Sequence, residues 1–296
     1  MFLGIDVGGT KIQGAYLGQG AVQLTARRTT PTSSYEAFLE TLVGLAEEAV
    51  RSTGPLKRVG IGIPGTTAGG NVIWVPNLPF LDGRELAQDL FTRLGTEVVL
   101  ANDAQLALLG EQWQGVARGR HSAVLLTIGT GVGGAIMLDG KIVRGVHGSA
   151  GAFGWLNLDW RESADQVHGY LGRHGSGRAL SALGQQLDPP VTSYELIARA
   201  RAGDPASREI MEQFSTLLGV ACASIVSILD PEVLIVAGGL AEAFDLLAEG
   251  LRSGLREAGS PSVRETPLVV AHLGKDAAAY GALRAALDEP APWSDG

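Results

Sequence analysis

Cysteine is nearly absent: Cys222 stands alone in 296 residues, which excludes an internal disulfide and a cysteine-based zinc site. Its setting, FSTLLGVACASIVSIL, reads as a buried helix. Runs of basic residues are missing too, and the net charge is −8; both argue against a nucleic-acid partner, and the acidic balance is read as solubility. No apolar stretch is long enough to cross a bilayer, since the longest, Leu217 to Leu229, is short and dotted with serine. The first residues enter a strand at once, with neither a basic n-region nor a cleavage site. The expectation is a soluble, cytoplasmic protein with no membrane partner.

What is present suits a compact, loop-rich α/β enzyme. Hydrophobic residues are 45%, charged ones 18%, and glycine is abundant at 42, over a length that allows two domains and a large core. The stretch Phe2 to Gly14, FLGIDVGGTKIQG, organises the rest. An apolar strand runs into Asp6, then Gly8, Gly9, Thr10 and Lys11, then a second strand. Adjacent glycines let backbone amides approach phosphate oxygens, while Asp6, Thr10 and Lys11 supply a metal-facing carboxylate, a hydroxyl and a cation. A plain Gly-Gly hairpin is the alternative.

Repetition favours the phosphate grip. Val124 to Val143, VLLTIGTGVGGAIMLDGKIV, repeats the grammar: an apolar strand to Thr127, a turn at Gly129, Thr130 and Gly131, a strand, an Asp139-Gly140 hairpin, and another strand. The first copy closes its second hairpin at Leu17 to Gly20. Such internal similarity implies two like lobes facing each other, each giving a glycine hairpin to one nucleotide.

Between and beyond the repeats the pattern alternates. Ser33 with Glu36 reads as a capping box opening a helix with Phe38, Leu42, Leu45 and Ala49 on one face. Arg58 to Pro64 is a buried strand ended by Pro64-Gly65. Val72 to Phe80 is too rich in proline for a central strand and reads as a loop carrying Asn77 toward a ligand. A short helix, Glu85 to Leu94, precedes a buried strand, Glu97 to Ala101. That strand ends in Asn102-Asp103, and a helix follows from Ala104 to Trp113. Ligands of parallel sheets gather beyond the carboxyl ends of strands, so Asp103 stands where chemistry is expected; an ordinary helix N-cap is the alternative. His147 to Gly177 reads as irregular. Thr192 with Glu195, and Asp204 before Pro205, open two helices. Val233 to Val236 delivers Gly238-Gly239 to a helix from Ala241 to Arg256, either a nucleotide-facing helix start or a structural turn. A strand at Pro267 to Ala271 and a helix at Ala277 to Leu287 follow, and the tail Glu289 to Gly296 is expected to fray.

Taken in order, DVGGTK (Asp6 to Lys11), GIGIPG (Gly60 to Gly65), VPNLP (Val75 to Pro79), AND (Ala101 to Asp103), LTIGTGVGG (Leu126 to Gly134) and VAGGL (Val236 to Leu240) resemble the ROK family of sugar kinases and sugar-responsive repressors. The resemblance covers nearly the whole chain. It implies a two-lobed, duplicated α/β fold of the actin and hexokinase (ribonuclease H-like) ATPase type, with nucleotide and sugar in the cleft. The lobes would be 1–105 plus 278–296 and 106–277. The repressor branch carries a helix-turn-helix ahead of the first motif, which here begins at residue 2, so the kinase-like branch is implied.

The resemblance also implies roles. Gly8, Gly9, Thr10 and Lys11 would form the first phosphate loop, and Thr130, Gly131 and Gly133 the second. Gly238 and Gly239 would form the adenosine turn, and Gly65, Asn77, Asn102 and Asp103 would meet the sugar. Asp103 would be the general base, with Mg²⁺ near Asp6 and ATP as donor. A homodimer through the C-terminal lobe is implied as well.

The chain departs from the family at the acceptor wall. Members usually carry Gly-Glu-x-Gly-His, whose Glu grips sugar hydroxyls and whose His binds zinc; here the residues are Gly151, Ala152, Phe153, Gly154 and Trp155. Tyr170-Leu171-Gly172 aligns where a zinc cysteine and a second Glu normally stand. His147, His168 and His174 remain nearby without regular spacing, and zinc is not expected. Losing hydrogen-bonding carboxylates alters recognition of the acceptor more than phosphoryl transfer. The expected acceptor is therefore something other than plain glucose. A non-catalytic sugar or nucleotide sensor is the second reading, and a polyphosphate-using kinase the third.

Overall fold

The computed structural model describes residues 1–163 and 166–288, so the expectation for the tail Glu289 to Gly296 lies outside the described residues. In chain order the first elements are β1 (Phe2–Val7), β2 (Lys11–Gly18), β3 (Ala21–Leu24), β4 (Arg28–Thr29), α1 (Tyr35–Thr53), β5 (Arg58–Ile63), β6 (Thr66–Ala68), β7 (Asn71–Trp74), α2 (Leu86–Leu94), β8 (Glu97–Asn102) and α3 (Asp103–Gln114). Then come β9 (Ala123–Ile128), β10 (Val132–Leu138), β11 (Lys141–Val143), α4 (Gly169–His174), α5 (Gly177–Gly184), α6 (Ser193–Ala202), α7 (Pro205–Leu229), β12 (Leu234–Ala237), α8 (Phe244–Ala258), β13 (Leu268–Val270) and α9 (Ala277–Leu287).

Two sheets share one plan. The first has the order β3-β2-β1-β5-β8 and the second β11-β10-β9-β12-β13. In each, three consecutive strands are followed by two that join by crossover, and β1, β5 and β8, like β9, β12 and β13, run parallel. The hairpins closing each set need two successive residues with positive φ. Gln19 (φ 53°) and Gly20 (φ 82°) supply them in the first, Asp139 (φ 50°) and Gly140 (φ 73°) in the second.

Contacts divide the described residues into two units: 1–121, 135–150 and 272–288, and 122–134, 151–163 and 166–271. In the first unit, Leu3, Ile5, Ile61 and Leu100 of the sheet pack with Phe38, Leu42 and Leu45 of α1. On α1 the cap is Ser34, which accepts from the Ala37 amide, rather than Ser33; Glu36 takes a bidentate ion pair with Arg93 at 2.8 Å instead of closing a capping box. α9 lies against β1 and β5 at a distance only glycine allows: a Cβ on Gly60 would stand 2.0 Å from the Ala282 carbonyl oxygen. β6 and β7 form a separate hairpin turning at Gly69-Gly70, which keeps Asn71–Trp74 out of the main sheet.

In the second unit, α7 carries Phe214, Leu218, Cys222 and Val226 into a core shared with Leu126, Ile128 and Val236. The helix runs well beyond the apolar stretch Leu217 to Leu229 read from the sequence. Among the described residues α7 is therefore, against that expectation, the one helix long and apolar enough to cross a membrane; half of its most apolar window is buried inside this core. Burial pushes the Cys222 thiol up to about 12. The capping box Thr192/Glu195 opens α6, and Asp204 with Pro205 opens α7, as the sequence predicts. α4 occupies ground that reads as irregular from sequence, and α5 begins where that stretch ends, at Gly177.

Candidate active site

In the first unit the chemistry gathers at the carboxyl ends of β1, β5 and β8. The turn after β1 is closed by the Gly8 amide donating to the Lys11 carbonyl at 2.8 Å. Thr30 braces it from outside, its amide donating to the Thr10 carbonyl (3.0 Å) and its hydroxyl to the Gly8 carbonyl (2.7 Å). Thr10 and Lys11 are exposed. A Cβ on Gly9 would lie 3.6 Å from the Asn77 Cβ, so the turn and the Asn77 loop adjoin.

Asp6 at the end of β1 and Asp103 at the start of α3 face each other across β5. A Cβ on Gly62 would stand 3.6 Å from Asp6 Oδ1 and 3.7 Å from Asp103 Cα. Burial pushes Asp6 up to about 7; the Asp103 charge adds to this, Arg27 opposes it, and Asp276 adds again. Arg27 holds its place by donating to Gln13 Oε1 (2.9 Å) and Asp276 Oδ1 (2.8 Å). Burial pushes Asp103 up to about 6, against the lowering effect of the Ala104 amide, which donates to its Oδ1 at 2.8 Å.

The N-cap of α3 is Asn102. Its Oδ1 accepts from the Ala104 and Gln105 amides at 2.9 and 3.1 Å. Its Nδ2 donates to the Gly65 carbonyl at 2.9 Å, tying the loop after β5 to the same helix start. The structure thus brings Asp6, Gly8, Gly9, Gly65, Asn77, Asn102 and Asp103 into one neighbourhood. Asn102 does its visible work as cap and tie.

Gln105 and the segment 144–150 were not legible as part of this neighbourhood. Gln105 is 1% exposed, its Nε2 reaches the Gly148 and Ala150 carbonyls at 3.5 and 3.4 Å, and its Oε1 is buried without a partner among the described residues. The Arg144 guanidinium donates to the Leu100 carbonyl (3.2 Å) and the Thr67 hydroxyl (3.4 Å), and burial lowers its pKa.

In the second unit, the Gly129 amide donates to the Gly131 carbonyl at 2.9 Å, closing the turn after β9. Thr127, just before it, has a buried hydroxyl without a partner among the described residues. Gly238 has φ 86°, and a Cβ there would meet the Ile128 carbonyl oxygen at 2.5 Å, so the turn after β12 accepts no larger residue. It leads into a 3₁₀ turn, Gly239–Ala243, before α8.

Thr130 and Gly239 line a cavity of about 560 Å³, a size suited to a small ligand, with Arg178 of α5 and Tyr194, Ile197 and Arg201 of α6. Gly131, Gly133 and Gly238 stand outside its lining. Arg201 pins the wall, bidentate to Asp245 at 2.7 and 2.9 Å and donating to the Glu242 carbonyl at 2.8 Å. Tyr194 is 84% exposed on the rim.

At the departures from the family pattern, Phe153 belongs to the core of this unit, its ring filling the space left by the missing side chain of Gly134, while Trp155 is 45% exposed. The apolar character expected of both therefore reaches the surface through Trp155. Gly172 is buried in α4. His174 pairs with Glu162 at 2.8 Å. Among the described residues no group of three or more His, Cys, Asp or Glu could hold a metal ion. Asp6, a partly buried carboxylate beside a second one, fits Mg²⁺, which binds through one or two carboxylates together with substrate phosphates.

With this geometry in place, four likenesses bear on it. The ROK family model matches residues 2–289. The chain is 32% identical to the N-acetyl-D-glucosamine kinase of Pectobacterium carotovorum subsp. carotovorum (strain PC1), over 86% of this chain and 90% of that one. It superposes on the ROK hexokinase from Thermus thermophilus with a TM-score of 0.82, 31% identity, and 97% and 98% of the two chains covered. It also superposes on a ROK family glucokinase from Streptomyces griseus in complex with glucose and AMPPNP, with a TM-score of 0.80, 26% identity, and 97% and 99% covered.

Proposed function

The chain belongs to the ROK family, and from that premise we propose that it is an ATP-dependent kinase moving the γ-phosphoryl group to a hydroxyl of a sugar derivative. The observation that carries this reading is Asp103: a half-buried carboxylate at a strand tip, raised to about 6 by burial and held through Oδ1 by the Ala104 amide. A base with a pKa near the working pH is ionised yet still basic enough to draw a proton from an alcohol. The AMPPNP and glucose of the Streptomyces griseus complex support a nucleotide donor and a sugar acceptor.

Phosphoryl transfer asks for in-line placement, neutralisation of phosphate charge and a base for the hydroxyl proton. In this reading Gly8, Gly9, Thr10 and Lys11 serve the phosphates from residues 1–105 plus 278–296. Thr130, Gly131 and Gly133 serve them from residues 106–277, and Gly238 and Gly239 hold the adenosine. Asn77, Gly65 and Asn102 shape the acceptor side. Asp6 would hold Mg²⁺, which when bound neutralises phosphate charge. Asp103 accepts the proton as the hydroxyl attacks.

The acceptor is proposed to be an N-acetylhexosamine rather than plain glucose. The relative named as an N-acetyl-D-glucosamine kinase supports this, as does Ala152 where kinase members carry a sugar-gripping Glu. ADP release should be followed over glucose, mannose, fructose and the N-acetylhexosamines, with mass spectrometry of the products. The reading expects phosphorylated N-acetylhexosamine as the preferred product; glucose turned over more efficiently than every derivative would reject the acceptor class. The sensor reading draws on the same Ala152 and on Gly172, and tight ATP binding without phosphorylation of any acceptor would favour it. A homodimer is part of the proposal, and light scattering of the purified chain tests it.

A further inference from the structure

We infer that Arg178 is the cation that the second unit offers to the phosphate chain of the donor, an inference that rests on the nucleotide reading above. Its starting point is how firmly α5 is fastened to the glycine turn after β9. Ser176, wholly buried, caps α5 by accepting from the Ala179 amide at 3.3 Å. The next amide, of Gly177, donates to the Gly129 carbonyl at 2.7 Å. A Cβ on Gly177 would stand 2.9 Å from that same oxygen, so only glycine lets the helix start this close to the turn.

Arg178 follows immediately. Its Nε donates to the Thr130 carbonyl at 3.0 Å, and its Nη2 lies 4.0 Å from where a Cβ on Gly131 would be. One of its five N–H groups is thereby spent on holding the guanidinium against the turn. The four on Nη1 and Nη2 have no carboxylate among the described residues. Arg201, lining the same cavity, contrasts with it: its Nε and Nη2 both donate to the Asp245 carboxylate, and Nη2 donates to the Glu242 carbonyl as well. One arginine of this cavity is a structural brace, and the other is a positioned charge with its fork unspent.

A guanidinium fixed in this way is matched to phosphate, whose oxygens accept two parallel N–H bonds. Glycine-turn amides offer only partial charges to an anion. In a chain of net charge −8, a full positive charge beside the turn opposes the general repulsion of a polyanionic donor. The ligand class is therefore the di- or triphosphate of a nucleotide, with the nucleoside bound independently of Arg178.

The test is calorimetric titration of the full chain with adenosine, ADP and ATP, comparing the parent with Arg178→Met and Arg178→Lys. The expected result is ATP binding weakened about 10- to 100-fold in Arg178→Met, as for loss of a charge-assisted hydrogen bond. Arg178→Lys should be intermediate, because it restores charge without the fork, and adenosine affinity should be unchanged in both. Equal ATP affinity in all three proteins overturns the inference and leaves the nucleotide reading standing. Parallel loss of adenosine and ATP also overturns it, since Arg178 would then only shape the cavity. A parent that binds neither adenosine nor ATP rejects the nucleotide reading and the inference with it.

Discussion

Asp6 and Asp103 stand on either side of Gly62, close enough that a single added carbon there would lie 3.6 Å from Asp6 Oδ1 and 3.7 Å from Asp103 Cα. Three strands produce this closeness: Asp6 and Gly62 are paired across β1 and β5, and Asn102 is paired with Ile63 across β5 and β8. Poor hydration at these strand ends raises both carboxyls, Asp6 to about 7 and Asp103 to about 6.

The pH dependence of turnover follows. A base works only when ionised, and Asp103 holds its proton up to about pH 6, so kcat/KM should rise through an acid limb near pH 6 and level off above it. Steady-state rates from pH 5 to 8 check this. A limb near 4, the ordinary carboxylate range, would contradict the reading.

Stability should move the other way. Asp103 is raised from 3.8 to about 6 in the folded chain, so the fold binds this proton more tightly than the unfolded chain does. Its favourable contribution is complete below about pH 4 and is lost as pH rises through about 6. Asp103→Asn keeps an oxygen for the Ala104 amide and carries no such penalty. Urea unfolding should show the variant gaining on the parent between pH 4 and pH 8; a stability difference independent of pH would be the contrary result.

Glu111 offers a check away from the chemistry. It is fully buried, its Oε2 accepting from the Val116 amide at 2.9 Å and its Oε1 from the Leu273 amide at 2.7 Å. Glu111→Ala orphans both donors, at roughly 1–3 kcal/mol each. A loss of about 2–6 kcal/mol in urea unfolding is expected, with KM for the sugar unchanged in the protein that remains folded.

Local turn chemistry made much of this fold legible in advance. Asp139-Gly140 announces its hairpin because few other residue pairs adopt two successive positive φ angles, and Thr192 with Glu195 announces α6. Asp103 was placed at its strand tip by pattern alone. Misreadings came where distant partners intervene. Glu36 looks like the far half of a capping box but pairs with Arg93, so the cap moves to Ser34. Gly69-Gly70 signals the β6–β7 hairpin locally, while the prolines beyond Trp74 point to a loop over the same residues. Gln105, Thr30 and Arg178 owe their places to carbonyls far along the chain, for which no short-range spacing gives notice.

The most direct measurement is single-turnover phosphorylation of the preferred sugar by the parent and by Asp103→Asn, with ATP affinity determined on the same preparations. If Asp103 takes the hydroxyl proton, the variant binds ATP as the parent does and transfers phosphate about 10²- to 10⁴-fold more slowly, the range a positioned base contributes. Equal transfer rates in the two proteins would contradict the account.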